Sequence, residues 1–513
     1  MSIATASGTT AESFSKWRKI FFPIHKFELK KALPLGMIFF FVLFNYTCLR
    51  NVKDTLVVTY AGAETLSFLK SLCVTPAAVI FMLFYVKASN ILSNEKLFYC
   101  TLSPFIIFFG IFGFVLYPMK DVLHPSLETI SAWQAAYPYL KWPITIIGGW
   151  TYSIFYISAE LWGSAILSLS FWQFANQICK TSEAKRFYAF FSIIGQLAMF
   201  STGYLGVYFS DIREKVPEGV DPWGVSLHWL MGMVVVGGIL IMVIYRWIYR
   251  NVLTDKRFYD KPYLPGVVQE DSAKKKKKPS IVESFKVILT SPYIGLIALL
   301  IICYGISVNF IEGVWKSQLK LSFSNPNDYN VFMNKFTIYT GISTMIMLVV
   351  GGNILRMFSW FTAAILTPTI MCIGGTLFFS FILFSDKFIL FLDKFGTNPL
   401  AMAVFMGATV IVIIKGTKYA LFDLTKEMAY IPLDEKLKVQ GKAAADVVGG
   451  RFGKAGGAGF QAMLLSIIPG STYTDITAIV AAAFLAICAF WLVSVKGLSK
   501  RVEAARLAHK DQA

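Results

Sequence analysis

Long apolar runs separated by short polar stretches dominate the hydropathy pattern of this chain. A helix of about 20 apolar residues is long enough to cross the hydrocarbon of a bilayer. About twelve such runs are present. They begin near Leu33, Leu66, Leu97, Pro143, Tyr188, Val225, Tyr293, Val331, Phe361, Pro399, Gly441 and Asp475. The pattern therefore predicts an all-α polytopic membrane protein with about twelve transmembrane helices.

Two of the runs are less regular than the others. The run after Pro143 continues as an amphipathic segment toward Ile178, and the run after Gly441 is rich in glycine and scores poorly on hydropathy. We count both as spans, so the expected number of helices is about twelve, give or take one.

Composition supports a membrane protein and gives no sign of a cofactor. Of the 513 residues, 56% are hydrophobic and 15% are charged, which is too apolar for a soluble domain of this length. The seven cysteines form no CxxC pair and lie mostly in apolar runs, and the four histidines are scattered. This spacing favours buried cysteines over a metal site or a disulfide framework.

Basic residues in the connections predict the orientation of the chain. Lysine and arginine crowd both tails and the loop that contains Lys274 to Lys278, so we expect all three on the cytoplasmic side. An even number of helices in each half then follows. The net charge of +18 is compatible with nucleic acid or anionic lipid as a partner. In a membrane protein, this positive charge is better explained as a topology signal beside anionic lipid. We therefore expect no nucleic acid partner.

The two halves of the chain resemble each other weakly. An offset of 258 residues pairs Tyr46 with Tyr304 and Asp54 with Glu312. Two six-helix bundles joined by a polar loop are typical of major facilitator transporters, which bind substrate between the halves. We therefore expect a basic N-terminal tail, an N-terminal bundle, a basic linker, a C-terminal bundle and a basic C-terminal tail at residues 1–31, 32–250, 251–290, 291–497 and 498–513.

Charged residues inside the apolar runs are the main candidates for function. An ionisable group at bilayer depth costs at least a few kcal/mol, so it usually faces a water-filled path or a partner. Glu160, Glu312 and Lys454 are the clearest cases. Further polar residues lie near them or at helical spacing from them on the first, seventh and eleventh spans: Arg50, Lys53, Asp54, Asn309, Lys316, Lys442, Asp446 and Arg451.

The segment from Gly449 to Ala455 reads GGRFGKA and superficially resembles a phosphate-binding loop. The motif G-x-x-x-x-G-K-[ST] requires glycine at position 448 and serine or threonine at position 455, where this chain has Val448 and Ala455. We therefore do not expect ATP hydrolysis. Without a metal motif or clustered histidines, an enzyme is also the weakest hypothesis.

Five segments resemble the ATP/ADP carriers of plastids and obligate intracellular bacteria. They are LFNYTCLRNVKDTLVV (Leu43–Val58), AELWGSAILSLSFWQFANQI (Ala159–Ile178), EAKRFYAFF (Glu183–Phe191), SPYIGLIALLIICYGISVNFIEGVWKSQLK (Ser291–Lys320) and the block from Lys418 to Gly457. The resemblance covers nearly the whole chain. The lack of a long transit sequence favours the bacterial branch of the family.

The resemblance implies a nucleotide transporter in the bacterial inner membrane, commonly an exchanger of host ATP for ADP, with phosphate sometimes moving alongside ADP. In the family, the charged positions linked to transport match Lys70, Glu160, Glu312 and Lys454. We expect a monomer whose partners are nucleotides and the lipid bilayer. Proton-coupled import or counter-exchange of GTP, UTP, CTP or NAD is the alternative, and a carrier of another organic anion is a more distant one.

Three departures from the family pattern weigh against exchange with phosphate and keep a variant nucleotide preference or proton coupling open as the alternative. Relatives often have asparagine where this chain has Gln196, Ser-Lys-Ser where it has Ile414 to Gly416, and Lys-Ser-Gly-Gly where it has Lys454 to Gly457. The family's asparagine is connected with phosphate, so Gln196 is a further candidate.

A nucleotide that carries three or four negative charges cannot be dehydrated near the membrane centre without basic groups. We hypothesise that Lys70 and Lys454 contact its phosphates. Glu160 and Glu312 would then balance the empty site through ion pairs that the phosphates displace. The base could stack on Tyr46, Trp162 or Tyr304, and the sequence does not decide among these rings.

Overall fold

A computed structural model describes residues 24–255, 258, 288–433, 441–442 and 445–510. Most of the predicted amino-terminal tail and of the predicted linker, including Lys274 to Lys278, lies outside the described residues. The described part of the chain is built from α-helices, with short 3₁₀ and π-helical segments between or within them.

Six long helices form the N-terminal half. The second, third and fourth each contain a π-helical segment, and that of the fourth covers Gly163–Phe171. The helices are α1 (Leu29–Ala61), α2 (Thr65–Ile91), α3 (Asn94–Leu116), α4 (Trp150–Ile178), α5 (Thr181–Ser210) and α6 (Pro222–Asn251).

Six more helices form the C-terminal half. They are α7 (Pro292–Ser322), α8 (Pro326–Met357), α9 (Trp360–Leu383), α10 (Pro399–Tyr430), α11 (Gly450–Ile467) and α12 (Tyr473–Lys510). The first four begin at a Ser or Asn side chain that accepts a backbone N–H, which satisfies a donor that the helix leaves unpaired. Helix α12 continues into the segment 498–513 that the sequence predicted as a tail.

Within the described residues, eleven of these helices are long and apolar enough to span a bilayer. The exception is α11, which carries Arg451, Lys454 and several glycines. At 18 residues it is about 27 Å long, close to the hydrocarbon thickness. The weak hydropathy expected for this run is therefore confirmed, although the helix itself is present.

The run predicted to begin at Pro143 is divided in the structure. Pro143 lies in a short helix, Lys141–Gly148, and the long helix α4 begins only at Trp150. Gly149 separates them with a non-helical backbone, and a Cβ there would lie 2.5 Å from the Tyr60 ring. The predicted continuation to Ile178 is confirmed, and its regular path is altered by the π-helical segment Gly163–Phe171.

The two halves pack against each other through two matched helix pairs. Helix α5 packs along α8, and α11 packs along α2. Asn51 of α1 donates to Asn334 of α8 at 2.9 Å, while Asn309 of α7 accepts from Lys70 of α2 at 3.1 Å. Asn51 and Asn309 are 258 residues apart, so the predicted repeat offset pairs them. These contacts support the internal repeat.

Many hydrogen bonds and ion pairs join described residues of opposite halves between the middle of the helices and one end of the molecule. We call this the closed end; it contains Ala61 at the end of α1 and the start of α12 at Tyr473. There, Trp142 donates to the Ser471 carbonyl at 3.2 Å, and Thr55 donates to Asn330 at 3.1 Å. The halves are therefore joined at the closed end.

Candidate functional site

Helices α1 and α7 bring charged side chains from both halves to one layer. Arg50, Lys53 and Asp54 follow one another at helical spacing on α1, and Glu312 and Lys316 do so on α7. Arg50 lies 11 residues before Ala61, or about 17 Å from the closed end. That distance is roughly half the thickness of a bilayer's hydrocarbon, so the layer lies at membrane depth. We call it the charged layer.

Four side chains of this layer form a continuous ionic chain. Lys53 lies 2.9 Å from Glu160 of α4 and 2.7 Å from Asp54. Asp54 accepts a second hydrogen bond from Lys316 of the other half, at 2.8 Å. Lys53, Asp54 and Lys316 are buried. Because a buried charge without a partner costs several kcal/mol, each of these three depends on its neighbours.

Glu312 lies within a second ionic group. Its carboxylate is 2.9 Å from Lys415 of α10 and 4.0 Å from Arg50 of the other half. Lys415 was not among the predicted site residues, although it lies inside the apolar run that begins at Pro399. The cost of burying a charge, which singled out Glu160 and Glu312, applies equally to Lys415.

Lys70 and Lys454, the two cations among the four principal predicted residues, form no salt bridge with a described carboxylate. Lys70 donates to the Asn309 side chain at 3.1 Å. Lys454 is exposed and forms no salt bridge with a described residue, but its charge and that of Lys70 both act on Glu160. The structure therefore brings all four principal predicted residues, Lys70, Glu160, Glu312 and Lys454, to the charged layer.

The other predicted residues are distributed differently. Lys442 pairs with Glu427, and Asp446 lies 2.8 Å from Lys426, so these two belong to ion pairs between α10 and the segment before α11. The remaining two are Gln196, which lies on α5 beside Gly341 of α8 with an unpaired carbonyl oxygen, and Arg451, which is half-buried.

Aromatic side chains border the charged layer. The Lys53 ammonium lies 4.2 Å from the centre of the buried Tyr156 ring, a cation–π contact. Trp162 is fully buried and donates to the Val42 carbonyl at 3.1 Å, so it belongs to the core of its own half. Of the three rings that the sequence left open for the base, Tyr46 and Tyr304 therefore remain.

The closed end contains a carboxylate that the sequence analysis missed. Glu64 accepts the backbone N–H of Tyr473 at 2.9 Å, and Ser67 shares a hydrogen bond of 2.7 Å with the Tyr473 hydroxyl. Burial raises the pKa of the Glu64 carboxyl, despite the opposing effect of the Tyr473 N–H. Glu64 occupies the short turn between α1 and α2, where hydropathy gives no signal of burial.

The charged layer has a surplus of positive charge. Six cations lie in it against the three carboxylates Asp54, Glu160 and Glu312, a formal surplus of three. The Glu160 side chain is 30% exposed and that of Arg50 is 38% exposed, although the closed end seals one side of the layer. The layer is therefore suited to receive a polyanion from the opposite end. The cations are Arg50, Lys53, Lys70, Lys316, Lys415 and Lys454.

A model of the TLC ATP/ADP transporter family matches residues 7–502. The chain belongs to this family. It is 49% identical to ADP,ATP carrier protein 1 of Chlamydia pneumoniae, over 98% of this chain and 97% of that protein. It is 46% identical to ADP,ATP carrier protein 1 of Rickettsia conorii, over 95% of this chain and 96% of that protein. The resemblance found in the sequence is confirmed, and the family is one of transporters, not of enzymes.

Solved structures support the same fold. A bacterial homologue of the iron transporter ferroportin, in an inward-facing state, aligns with a TM-score of 0.62 over 93% of this chain and all of that chain, at 14% identity. The nucleoside transporter NupG aligns with a TM-score of 0.53 over 90% of this chain and 99% of that chain, at 10% identity. At these identities the likeness shows the fold alone. The predicted major-facilitator-like, multi-pass architecture is confirmed.

Proposed function

We propose that this protein exchanges ATP for ADP across a membrane by alternating access between its two halves. The observation that carries the proposal is the charged layer, where cations of both halves meet with a surplus of three positive charges. The names of the Chlamydia and Rickettsia relatives supply the substrate class. A layer built from both halves can bind the same anion whichever end is open.

Lys70 and Lys454 are the proposed phosphate contacts. Neither is held by a carboxylate of the described chain at salt-bridge distance, so both are available to an incoming anion. Phosphates near Lys53 and Arg50 would compete with Glu160 and Glu312 for the same cations. Charge-assisted contacts of this kind replace the water that a polyphosphate loses on entering the protein.

The ion pairs of the charged layer explain why transport would be an exchange. Without substrate, Glu160 and Glu312 remain bound to Lys53 and Lys415, and Lys316 binds Asp54 across the halves. These ion pairs stabilise the conformation in which the closed end is shut. A bound nucleotide would displace these carboxylates from their cations, and it shifts the equilibrium between the two conformations only by its difference in affinity for them.

With both termini on the cytoplasmic side, as the basic residues favour, the closed end faces away from the cytoplasm. The structure then represents an inward-facing conformation, in which the charged layer is reached from the cytoplasm. One chain contains both halves and the whole charged layer, so a monomer suffices for transport.

Uptake of labelled nucleotides by proteoliposomes tests the function. We expect ATP uptake that requires internal ADP or ATP and does not respond to a pH gradient. The same assay with GTP, UTP, CTP and NAD determines specificity, and internal phosphate tests co-transport. Uptake into empty vesicles that is driven by a pH gradient would instead establish proton-coupled import.

Two substitutions test the residue assignment. Lys454→Ala removes a proposed phosphate contact, and Glu312→Gln removes a proposed competitor of the phosphates while keeping the shape of the side chain. Lys335→Ala is a matched control, because Lys335 is an exposed lysine of α8. Wild-type exchange by both site variants, at normal membrane insertion, would refute their roles.

A further inference from the structure

Two half-accessible tyrosines lie one helical turn from the charged layer, on opposite halves of the protein. Tyr46 precedes Arg50 by four residues on α1, and Tyr419 follows Lys415 by four residues on α10. Both are displaced toward the end opposite the closed end, by about 6 Å along their helices. Arg50 and Lys415 both reach the same carboxylate oxygen of Glu312, at 4.0 and 2.9 Å, so α1 and α10 approach each other at this layer.

A glycine of α4 leaves room for the Tyr46 ring. A Cβ at Gly163 of α4 would lie 2.7 Å from the ring, so only glycine allows the ring to lie against this helix. Gly163 follows Glu160 by three residues, which is close to one turn. Tyr46 therefore packs against α4 about one turn from the residue that pairs with Lys53.

Much of the Tyr419 ring is accessible. It is 50% exposed, and the Lys418 ammonium lies 4.5 Å from its ring centre. The same ammonium lies 5.8 Å from the ring centre of Tyr304, which is stacked on Phe422 at a centroid distance of 5.2 Å. An accessible ring backed by packed aromatic side chains offers a preformed surface for a planar ligand.

We propose that Tyr46 and Tyr419 form the nucleobase subsite, in which a purine lies against one ring from each half. This inference rests on the proposed nucleotide exchange. The arrangement places phosphates in the charged layer and the base one turn closer to the accessible end. Arg50 lies between them. A purine offers a larger stacking surface than a pyrimidine, so the subsite favours adenine and guanine nucleotides.

Competition by two inhibitors separates base recognition from phosphate recognition. Full-length protein in ADP-loaded liposomes takes up labelled ATP at a concentration far below its KM. Inhibition is measured with unlabelled ATP and with inorganic tripolyphosphate, which has the charges of a nucleotide but no base. Tyr46→Leu and Tyr419→Leu should each raise the half-inhibitory concentration of ATP roughly tenfold and leave that of tripolyphosphate nearly unchanged.

The controls distinguish stacking from other roles of the ring. Tyr419→Phe keeps the ring and should behave like the parent protein, and Tyr204→Leu removes a tyrosine of α5 that is 70% exposed. An equal loss for both inhibitors, no loss for either, or a Phe variant as impaired as the Leu variant would overturn the subsite. If ATP fails to inhibit the parent protein, the proposed exchange is wrong instead.

A Tyr419→Trp variant provides a second measurement that does not depend on the leucine variants inserting into the membrane. ATP should quench more indole fluorescence in this variant than in the parent protein, and tripolyphosphate should cause no such additional quenching. Equal quenching by both compounds, or none, would contradict a base stacked at this position.

Discussion

Asp54 and Lys316 belong to opposite halves and form a buried salt bridge of 2.8 Å between α1 and α7. Asp54 also holds Lys53, at 2.7 Å. The carboxylate therefore neutralises one cation of each half at the layer where the proposed substrate binds. Separation of the halves at the closed end would have to break its contact with Lys316.

Asp54→Asn should weaken the closed end, because Lys316 loses its buried counter-charge. We expect a cysteine introduced at Ser471 to react with an impermeant thiol reagent at least about tenfold faster in this variant. Lys316→Asn and the double variant complete a thermodynamic cycle. A coupling free energy below about 0.5 kcal/mol would show that the two side chains act independently.

Lys415→Met should reduce ATP exchange by about tenfold or more, because a charge-assisted hydrogen bond to a buried carboxylate is lost. Glu312 would keep only Arg50, at 4.0 Å, as a salt-bridge partner among the described residues. Lys335→Met, on the exposed face of α8, is the control and should leave the rate unchanged. Equal rates for the two variants at equal insertion would contradict a role for Lys415.

Gly305→Ala should destabilise the protein and impair exchange. A Cβ at Gly305 would lie 2.8 Å from the Gly453 backbone, so α7 and α11 must move apart, and α11 carries Lys454. Overpacking of this kind costs about 1–3 kcal/mol and should lower the thermal midpoint in detergent. Gly459→Ala is the matched control on α11, since a Cβ there meets nothing within 4 Å. A control as unstable as Gly305→Ala would exclude the contact as the cause.

The Glu64 carboxyl should make the closed end sensitive to pH. Because its pKa is raised by burial, the closed end is favoured at acidic pH and weakens as the pH rises through the raised pKa of this carboxyl. Opening would hydrate Glu64 and release its proton. The charges of Lys141, Lys320 and Asp475 also reach this site.

The Ser471 cysteine reports this effect as well. Its reaction rate, corrected for thiol ionisation with a free thiol standard, should rise with pH above the ordinary range of a glutamate, about 4.3. Glu64→Gln resembles the protonated form and should remove the dependence. A rise that persists in this variant would assign the effect to another group.

The sequence contained enough to predict the helices and the principal charges. Long apolar runs predict the membrane-spanning helices. The cost of burying a charge identifies Glu160, Glu312 and Lys454 as candidate functional residues from the sequence alone. The same argument could have identified Lys415. Its neighbours are so apolar that one lysine hardly changes the hydropathy of the run.

The sequence does not show which side chains become neighbours in space. Lys442 and Asp446 were expected on the eleventh span, but both precede α11, and Ala445–Gly449 is π-helical. A π turn adds a residue, which rotates the following face relative to α-helical spacing. The ion pairs of Lys442 and Asp446 with α10 also depend on a contact between elements that periodicity cannot reveal.

The joint between the halves at the closed end is built largely from amides, hydroxyls and carbonyls, as in the contacts of Asn51, Thr55 and Trp142. Water can replace each of these partners when the halves separate, so the loss of these polar contacts carries a modest penalty. An apolar interface in the same place would resist separation more strongly and slow the transport cycle. An interface whose polar groups can be hydrated is therefore suited to repeated, reversible separation of the two halves.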